Sequence, residues 1–305
     1  MNEELNNIRV ACITPHFGEE PVLTGTKGAG AIFLSGCNLR CVFCQNWQIS
    51  HRCIGEMLMR PGQLAEEMLR LQEMGCHTID IVSPSHQVRL LCRSLQIAKN
   101  QNLTIPIVYN TNSMDTLEAL RSLEGLVDIY LPDLKYSDDR IARDLSRARQ
   151  YVSRAKAAIL EMHRQVGHLI PNDDTSIAQR GIIIRMLVLP HEYSGCSESL
   201  TFIANEIGTE TWISIMAQYN PQPLYDSGNE AVLKKYSELG RPVTEFEYNR
   251  VLEEAQSLGF ENIFIQDWKS AVEYGLPDFE CEEPFEWNEP SLDDDESSVE
   301  ELTFT

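Results

Sequence analysis

The chain has 305 residues, enough for one large domain with a well-buried core, and its 43% hydrophobic content is ordinary for a globular protein. The formal net charge of −21 argues against a general nucleic-acid binder, which needs clustered Lys and Arg. No apolar run reaches the roughly 18 residues of a membrane-crossing helix, and Met1-Asn2-Glu3-Glu4 lacks the basic start and apolar stretch of a signal peptide. We therefore expect a cytoplasmic protein with no membrane partner.

Strand-like runs alternate with helix-like ones along the chain. The strand candidates are Ala31 to Leu34, Thr78 to Val82, Ile105 to Tyr109, Val127 to Leu131, Ile182 to Leu189 and Thr211 to Ala217, with a short seventh run at Asn262 to Ile265. Gln63 to Met74 places Leu64, Met68, Leu71 and Met74 on one helical face. Val88 to Lys99, Asp115 to Leu123 and Asp138 to Val166 also read as helices, the last breaking near Arg149-Gln150. Thr244-Glu245-Phe246-Glu247 reads as a capping box opening a further helix. Between the sixth and seventh strands, Gln218 to Val243 reads as an irregular insertion or lid with one short helix, Glu230 to Leu239. We expect it to line an entrance and to offer Tyr219, Tyr225 and Tyr236 to a partner.

Nearly continuous apolar strands belong to parallel sheets covered on both faces. Six of them alternating with helices predict an α/β protein built as an open or partial (β/α)6 barrel, with active residues at the carboxyl ends of the strands. The expected organisation is an N-terminal extension over 1–24, the barrel over 25–270, and an acidic, disordered C-terminal tail over 271–305. From Asp278 to Thr305 there are 12 acidic residues and no Lys or Arg, leaving 34 acids against 25 bases in the body. Such a segment is too acidic and too poor in apolar groups to join a core.

Nine cysteines without a secretory signal read as metal ligands and buried thiols rather than disulfides. Cys76, Cys92 and Cys196 sit in or beside helix-like segments and are expected in the core. Cys37, Cys41 and Cys44 stand apart, because they lie in one loop, Ser35-Gly36-Cys37-Asn38-Leu39-Arg40-Cys41-Val42-Phe43-Cys44, directly after the first expected strand. Three soft thiolates so close suit three irons of a cubic 4Fe-4S cluster and leave the fourth iron open. The alternatives are a redox dithiol at Cys41 and Cys44, or a zinc site completed by Cys53, His51 or Cys12.

The other strand ends are polar. The second leads into Ser83-Pro84-Ser85-His86, the third into Tyr109-Asn110-Thr111-Asn112 and the fourth into Pro132-Asp133-Leu134-Lys135. His86 reads equally as a ligand or as loop packing. Asp133 and Lys135, two apart, point the same way on extended chain and form at least a local ion pair. Arg185 interrupts the apolar fifth strand, and a buried guanidinium needs a partner. It is either a structural pair or an inward arginine for a carboxylate ligand, and we take the second reading. Phe43 and Trp47 flank the cysteine loop as cofactor contacts or as core. Glu19 and Glu20 read as a solvated turn ahead of a paired-carboxylate site.

The cysteine segment, with Phe43 before its last thiol, resembles the signature of radical S-adenosylmethionine (SAM) enzymes. His16-Phe17-Gly18-Glu19-Glu20-Pro21, Gly36 to Asn46, Ser83 to His86, Leu131-Pro132-Asp133-Leu134-Lys135-Tyr136, Glu161 to Gly167 and Gln218-Tyr219 resemble the pyruvate formate-lyase activating enzyme branch, in a subgroup of activating proteins. The resemblance covers roughly residues 10 to 265. It implies that Cys37, Cys41 and Cys44 hold a 4Fe-4S cluster whose open iron takes SAM. Reductive cleavage of SAM to a 5′-deoxyadenosyl radical is implied with it, the electron coming from a flavodoxin or ferredoxin-type reductant. It places Phe43, Ser83, Ser85, Asn110, Asp133, Lys135 and Arg185 around SAM. It also implies a monovalent cation near Asp133, although Asn110 stands here where the family carries an acid. The substrate implied is a glycine of a glycyl-radical enzyme. A small metabolite or another peptide is the second reading, and a non-catalytic metal-binding interaction protein the third.

Overall fold

The computed structural model describes residues 6–273 and 275–285. The strands are β1 (Ile8–His16), β2 (Ala29–Leu34), β3 (Met57–Met59), β4 (Thr78–Val82), β5 (Ile107–Thr111), β6 (Ile129–Pro132), β7 (Ile170–Pro171), β8 (Ala178–Leu187), β9 (Trp212–Met216) and β10 (Ile263–Ile265). The helices are α1 (Pro21–Thr24), α2 (Trp47–His51), α3 (Pro61–Glu73), α4 (Val88–Asn100), α5 (Leu117–Leu123), α6 (Asp139–Ser146), α7 (Tyr151–Val166), α8 (Cys196–Glu206), α9 (Gln222–Asp226), α10 (Glu245–Ser257) and α11 (Trp268–Glu273).

The strands form one sheet in the order β10-β9-β8-β6-β5-β4-β2-β1-β3, with β7 paired to β8. From β2 to β10 every neighbouring pair on this path is parallel, whereas β1 runs antiparallel to β2 and β3 antiparallel to β1. The edges β10 and β3 are not joined, so the expected partial α/β barrel forms and stays open at a seam.

Alternation along each strand sorts its side chains. Ile32, Leu34, Ile79, Ile81, Ile107, Tyr109, Tyr130, Ile184, Met186, Ile213 and Ile215 join the core beneath the helices, with Leu64, Met68 and Leu71 of α3 and Leu91 and Leu95 of α4. The opposite face looks into the barrel. At its base Val22 and Leu23 of α1 pack with Val108, Ile129, Leu131, Ala178, Ile183 and Phe264, so the segment after β1 crosses under the barrel as a plug. The Thr78 hydroxyl donates to Leu23 O at 3.0 Å and pins it there.

Several expectations are refined. The 138–166 stretch does break, between α6 and α7, where Arg147 and Gln150 adopt left-handed backbone. The capping box at Thr244 and Glu247 forms at the start of α10. The expected helix Glu230 to Leu239 is instead two 3-10 turns, Glu230–Lys234 and Ser237–Gly240. Tyr219 and Tyr236 are not offered to a partner, because both are buried, their hydroxyls donating to Leu239 O and to Asp144. Only Tyr225 of the three is exposed. Cys76 and Cys196 are core residues, while Cys92 is half-buried.

Of the expected tail, residues 286–305 lie outside the described residues, whereas α11 and 275–285 are part of the folded chain. Phe279 and Phe285 join a small core with Ala31, Phe33, Ile49 and Val82, which corrects the expectation that nothing after Asp278 would do so. The Phe285 ring stacks on Phe33 at 5.2 Å and lies 4.5 Å from His16. Gln48 fixes the strap by donating to Asp278 and accepting from Phe279 N. Two aromatic side chains thus outweigh the acidic character of their neighbours. Among the described residues no helix is long and apolar enough to cross a membrane.

Candidate active site

A cavity of about 220 Å³ opens inside the barrel at the carboxyl ends of the parallel strands. Cys37, Cys41 and Cys44 all line it. Their loop is anchored on both sides. Ser35 N donates to Arg9 O, Gly36 N to Ile49 O, Arg40 N to Ser146 O, and Val42 N to Leu145 O. Gly36 has φ +85, and a Cβ there would stand 3.0 Å from Arg9 Nη2 and 3.2 Å from His86 Nε2, so the turn into the motif requires glycine. His86 Nε2 lies 2.8 Å from Ser35 O and clamps this turn; it does not line the cavity, so the structure places it as loop packing.

Each thiol has a donor aimed at it. Leu39 N and Asn112 Nδ2 approach Cys37 Sγ at 3.4 Å, Ser146 Oγ approaches Cys41 Sγ at 3.0 Å, and Ser50 Oγ lies 3.3 Å from Cys44 Sγ. Burial pushes the Cys41 thiol up, and burial with the neighbouring Cys41 pushes Cys44 up to about 12, while Lys135 pulls both the other way. Such thiols ionise when a metal takes the proton's place. Three cavity-facing sulfurs, each within reach of a hydrogen-bond donor, fit a thiolate-held iron–sulfur cluster. Among the described residues no three His, Cys, Asp or Glu converge as a single metal ion requires. Nor do Cys12, His51 or Cys53 line the cavity, so the zinc alternative finds no fourth ligand there.

Phe43, Ser83, Asn110, Asp133, Lys135 and Arg185 also line the cavity. Ser85 does not; its hydroxyl pairs with Thr111 Oγ1 at 3.0 Å. Phe43 packs edge-on against Tyr219 at 5.8 Å, and Trp47 does not line the cavity. Lys135 Nζ donates to Asp133 at 2.6 Å. Arg185 donates to Asp133 Oδ1 at 3.0 Å, Glu19 Oε2 at 2.7 Å and Asn110 Oδ1 at 2.7 Å. The oxygens expected beside a monovalent cation therefore hold a guanidinium. Arg185 is structurally paired and also lines the cavity.

Burial works to raise the Asp133 carboxyl, but Lys135 and Arg185 outweigh it and hold it below the usual carboxylate range. Burial works to lower Lys135 and Arg185, and the surrounding acids hold both up.

Sequence reasoning found Asp133 but missed Asp80 and ranked Glu19 and Glu20 as a solvated turn. Glu19 and Glu20 are no solvated turn: both line the cavity, Glu20 is buried, and Glu19 is salt-bridged to Arg185. Asp80 is fully buried and accepts from Asn110 Nδ2 at 3.2 Å. Its signal was available, since a carboxylate interrupts the apolar run Thr78 to Val82 just as Arg185 interrupts its own strand.

The Radical SAM superfamily profile matches residues 31–192, more than half of the chain, and the protein belongs to that superfamily. The family implies a 4Fe-4S cluster and SAM. An uncharacterised protein of Methanocaldococcus jannaschii is 28% identical over 256 residues, which is 82% of this chain and 67% of that one. Among solved structures, the chain is similar to HydG, a maturase of the FeFe-hydrogenase (13% identity, TM-score 0.46, 80% of this chain and 58% of that one). It is also similar to methylornithine synthase, PylB (14% identity, TM-score 0.46, 76% of this chain and 70% of that one). The chain thus spans less than two thirds of the HydG chain it matches.

Proposed function

We propose that this protein is a radical SAM enzyme in which Cys37, Cys41 and Cys44 hold the 4Fe-4S cluster and the adjoining cavity receives SAM and a hydrogen-donating substrate. The observation that carries this is the convergence of all three motif cysteines on the cavity that Asp133, Lys135 and Arg185 also line. When bound and reduced, the cluster and SAM supply a carbon-centred radical able to take a hydrogen atom. The protein's part is placement. Donors from Asn112, Ser146 and Ser50 orient the thiolates, Lys135 offers a positive charge beside Cys41, and Phe43 and Phe33 give the cavity dry walls. The electron donor in this reading is a flavodoxin or ferredoxin-type protein.

Two substrates are weighed. The motif resemblance favours a glycine of a glycyl-radical enzyme, the role of an activating enzyme. One structural observation favours a compact substrate, a small metabolite or short peptide, instead. Phe279 and Phe285 pack against Ala31 and Phe33 of β2, and Pro277 and Phe285 line the cavity, so this strap takes up room that a partner's loop would need.

The test is anaerobic reconstitution with iron and sulfide. The wild type should show brown charge-transfer absorption and cleave SAM under dithionite, whereas Cys37→Ala, Cys41→Ala or Cys44→Ala should lose both and Cys76→Ala neither. Stoichiometric zinc without iron in the pure protein would sink the reading and return the chain to a non-catalytic metal-binding role. A glycyl-radical doublet by electron paramagnetic resonance on a candidate partner enzyme would decide for activation. SAM cleavage stimulated by a small molecule, with no such doublet, would decide for the compact substrate.

A further inference from the structure

Inward-facing residues of the barrel fall into layers. Val82, Leu187 and Met216 stand at the rim of their strands, and two residues earlier on each lie Asp80, Arg185 and Ser214. The plug segment adds Glu19 and Glu20 to this lower layer, and Asp133 and Lys135 border it. Beneath is the apolar layer of Val22, Leu23, Val108 and Ile183.

The polar layer is unbalanced. Four carboxylates, Glu19, Glu20, Asp80 and Asp133, face two cations, Arg185 and Lys135. Arg185 is committed to Asp133, Glu19 and Asn110, and Lys135 to Asp133. Glu20 Oε2 comes no nearer than 3.9 Å to Arg185 Nη1 and has no hydrogen-bond partner, the hydroxyl beside the Glu20 carboxyl being that of Ser214. Asp80 Oδ1 and His16 Nδ1 are buried without a partner as well. Glu20 and His16, each more than nine-tenths buried, both line the cavity. A buried acceptor left unmade is costly unless a ligand donates to it.

We propose that this layer is a recognition site for an organic cation, an ammonium or guanidinium group carried by the substrate. The inference rests on reading the cavity as the substrate pocket and names the class of substrate it takes. Such a group donates to Glu20 Oε2, takes the place of a proton in the layer, and leaves its carbon chain among Phe33, Leu187 and Met216. Without it, burial and the Glu19 charge keep Glu20 and Asp80 above the usual carboxylate range, so the layer is neutralised by protons rather than by a ligand. SAM carries an ammonium too, so the two sources of that chemistry must be told apart.

The experiment uses the full-length, anaerobically reconstituted protein and three probes: n-butylammonium, neutral n-butanol and K⁺. Thermal melting and calorimetry are recorded with and without SAM, and SAM cleavage is measured separately. Expected is a saturable rise in Tm with n-butylammonium alone, retained when SAM is bound, with proton release seen as a dependence of the binding heat on buffer. Glu20→Gln should weaken it about tenfold or more, the weight of one charged hydrogen bond, and Asp80→Asn should do the same should the first variant not fold. Exposed Glu245→Gln should change nothing. An equal response to n-butanol or K⁺, or no loss in either layer variant, would overturn the proposal. Loss of the response when SAM is present would overturn it in favour of SAM's own ammonium. Failure of SAM cleavage with amine binding intact would count against the radical SAM reading and leave the cation site standing.

Discussion

Replacing Arg185 by Met tests the charge architecture of the barrel directly. Its side chain is 13% exposed and makes charged hydrogen bonds to Asp133 and Glu19, with a third to Asn110. Methionine keeps much of the volume and removes the charge, leaving Glu19, Glu20 and Asp80 with no cation in contact and Asp133 with Lys135 alone. Breaking a buried pair in this way costs about 3–5 kcal/mol, a large share of the roughly 5–15 kcal/mol that holds a domain together. The loss should depend on pH with a definite sign. Without the guanidinium, Glu20 and Asp80, which burial already holds high, lose the positive charge that pulls them down. Groups raised in the folded state contribute stability below their unfolded pKa and lose it as pH rises through the folded one. Urea unfolding at pH 5.5 and pH 8 should therefore show the larger deficit at pH 8, and Arg185→Met/Glu19→Gln should recover part of it, a coupling of about 0.5–3 kcal/mol. A deficit below about 1 kcal/mol, or one equal at both pH values, would mean that the layer is wetter and less strained than its burial indicates.

Two further outcomes are expected. Phe279→Ala should leave global melting nearly unchanged, because a strap opens locally, but it should speed iodoacetamide labelling of Cys12, which packs against the same aromatic cluster and whose burial holds its thiol up at about 11; peptide mapping showing an unchanged rate would refute the strap's covering role. Glu247, held well below the usual carboxylate range by Arg241 and, against the pull of burial, by bonds from His191 N and Thr244, contributes stability above its unfolded pKa that is lost as pH falls through the folded one; Glu247→Gln should cost about 2–3 kcal/mol at pH 7 and less toward pH 3 by chemical denaturation.

What the sequence made legible followed from local rules. Continuous apolar runs placed most strands, because burial on both faces leaves them few polar positions, and helical spacing placed most helices within a few residues, because burial on one face leaves a period. The antiparallel strand β1 went unread within the expected N-terminal extension, because it is half-buried along most of its length and its apolar positions do not alternate cleanly. The cysteine spacing identified the rim of the site, and a charge inside an apolar strand identified Arg185. Glu19 and Glu20 were not legible in the same way. Two adjacent acids before a proline look like a surface turn, and only the plug's path beneath the barrel turns them inward. Phe279 and Phe285 were hidden by averaging, since composition over a long acidic segment says little about two aromatic anchors at its start.

The contrast between the two inner layers bears most directly on function. A barrel that needed only a floor could be closed by apolar side chains, as it is one layer down by Val22, Leu23, Val108, Ile129 and Ile183. Burying a matched ion pair at that depth would bring no clear gain over such packing. Burying two acids beyond those the cations pair, with acceptors left unmade, is worse again. The Arg185 network by itself explains Glu19 and Asp133, which it bonds directly. It reaches Glu20 only at 3.9 Å and Asp80 only through Asn110, and leaves Glu20 Oε2 and Asp80 Oδ1 without a hydrogen bond. The surplus acids therefore make physical sense when the cavity is completed by something positive, which is why the chemistry of the donor, rather than the radical chemistry at the rim, is where this protein's own specificity should be sought.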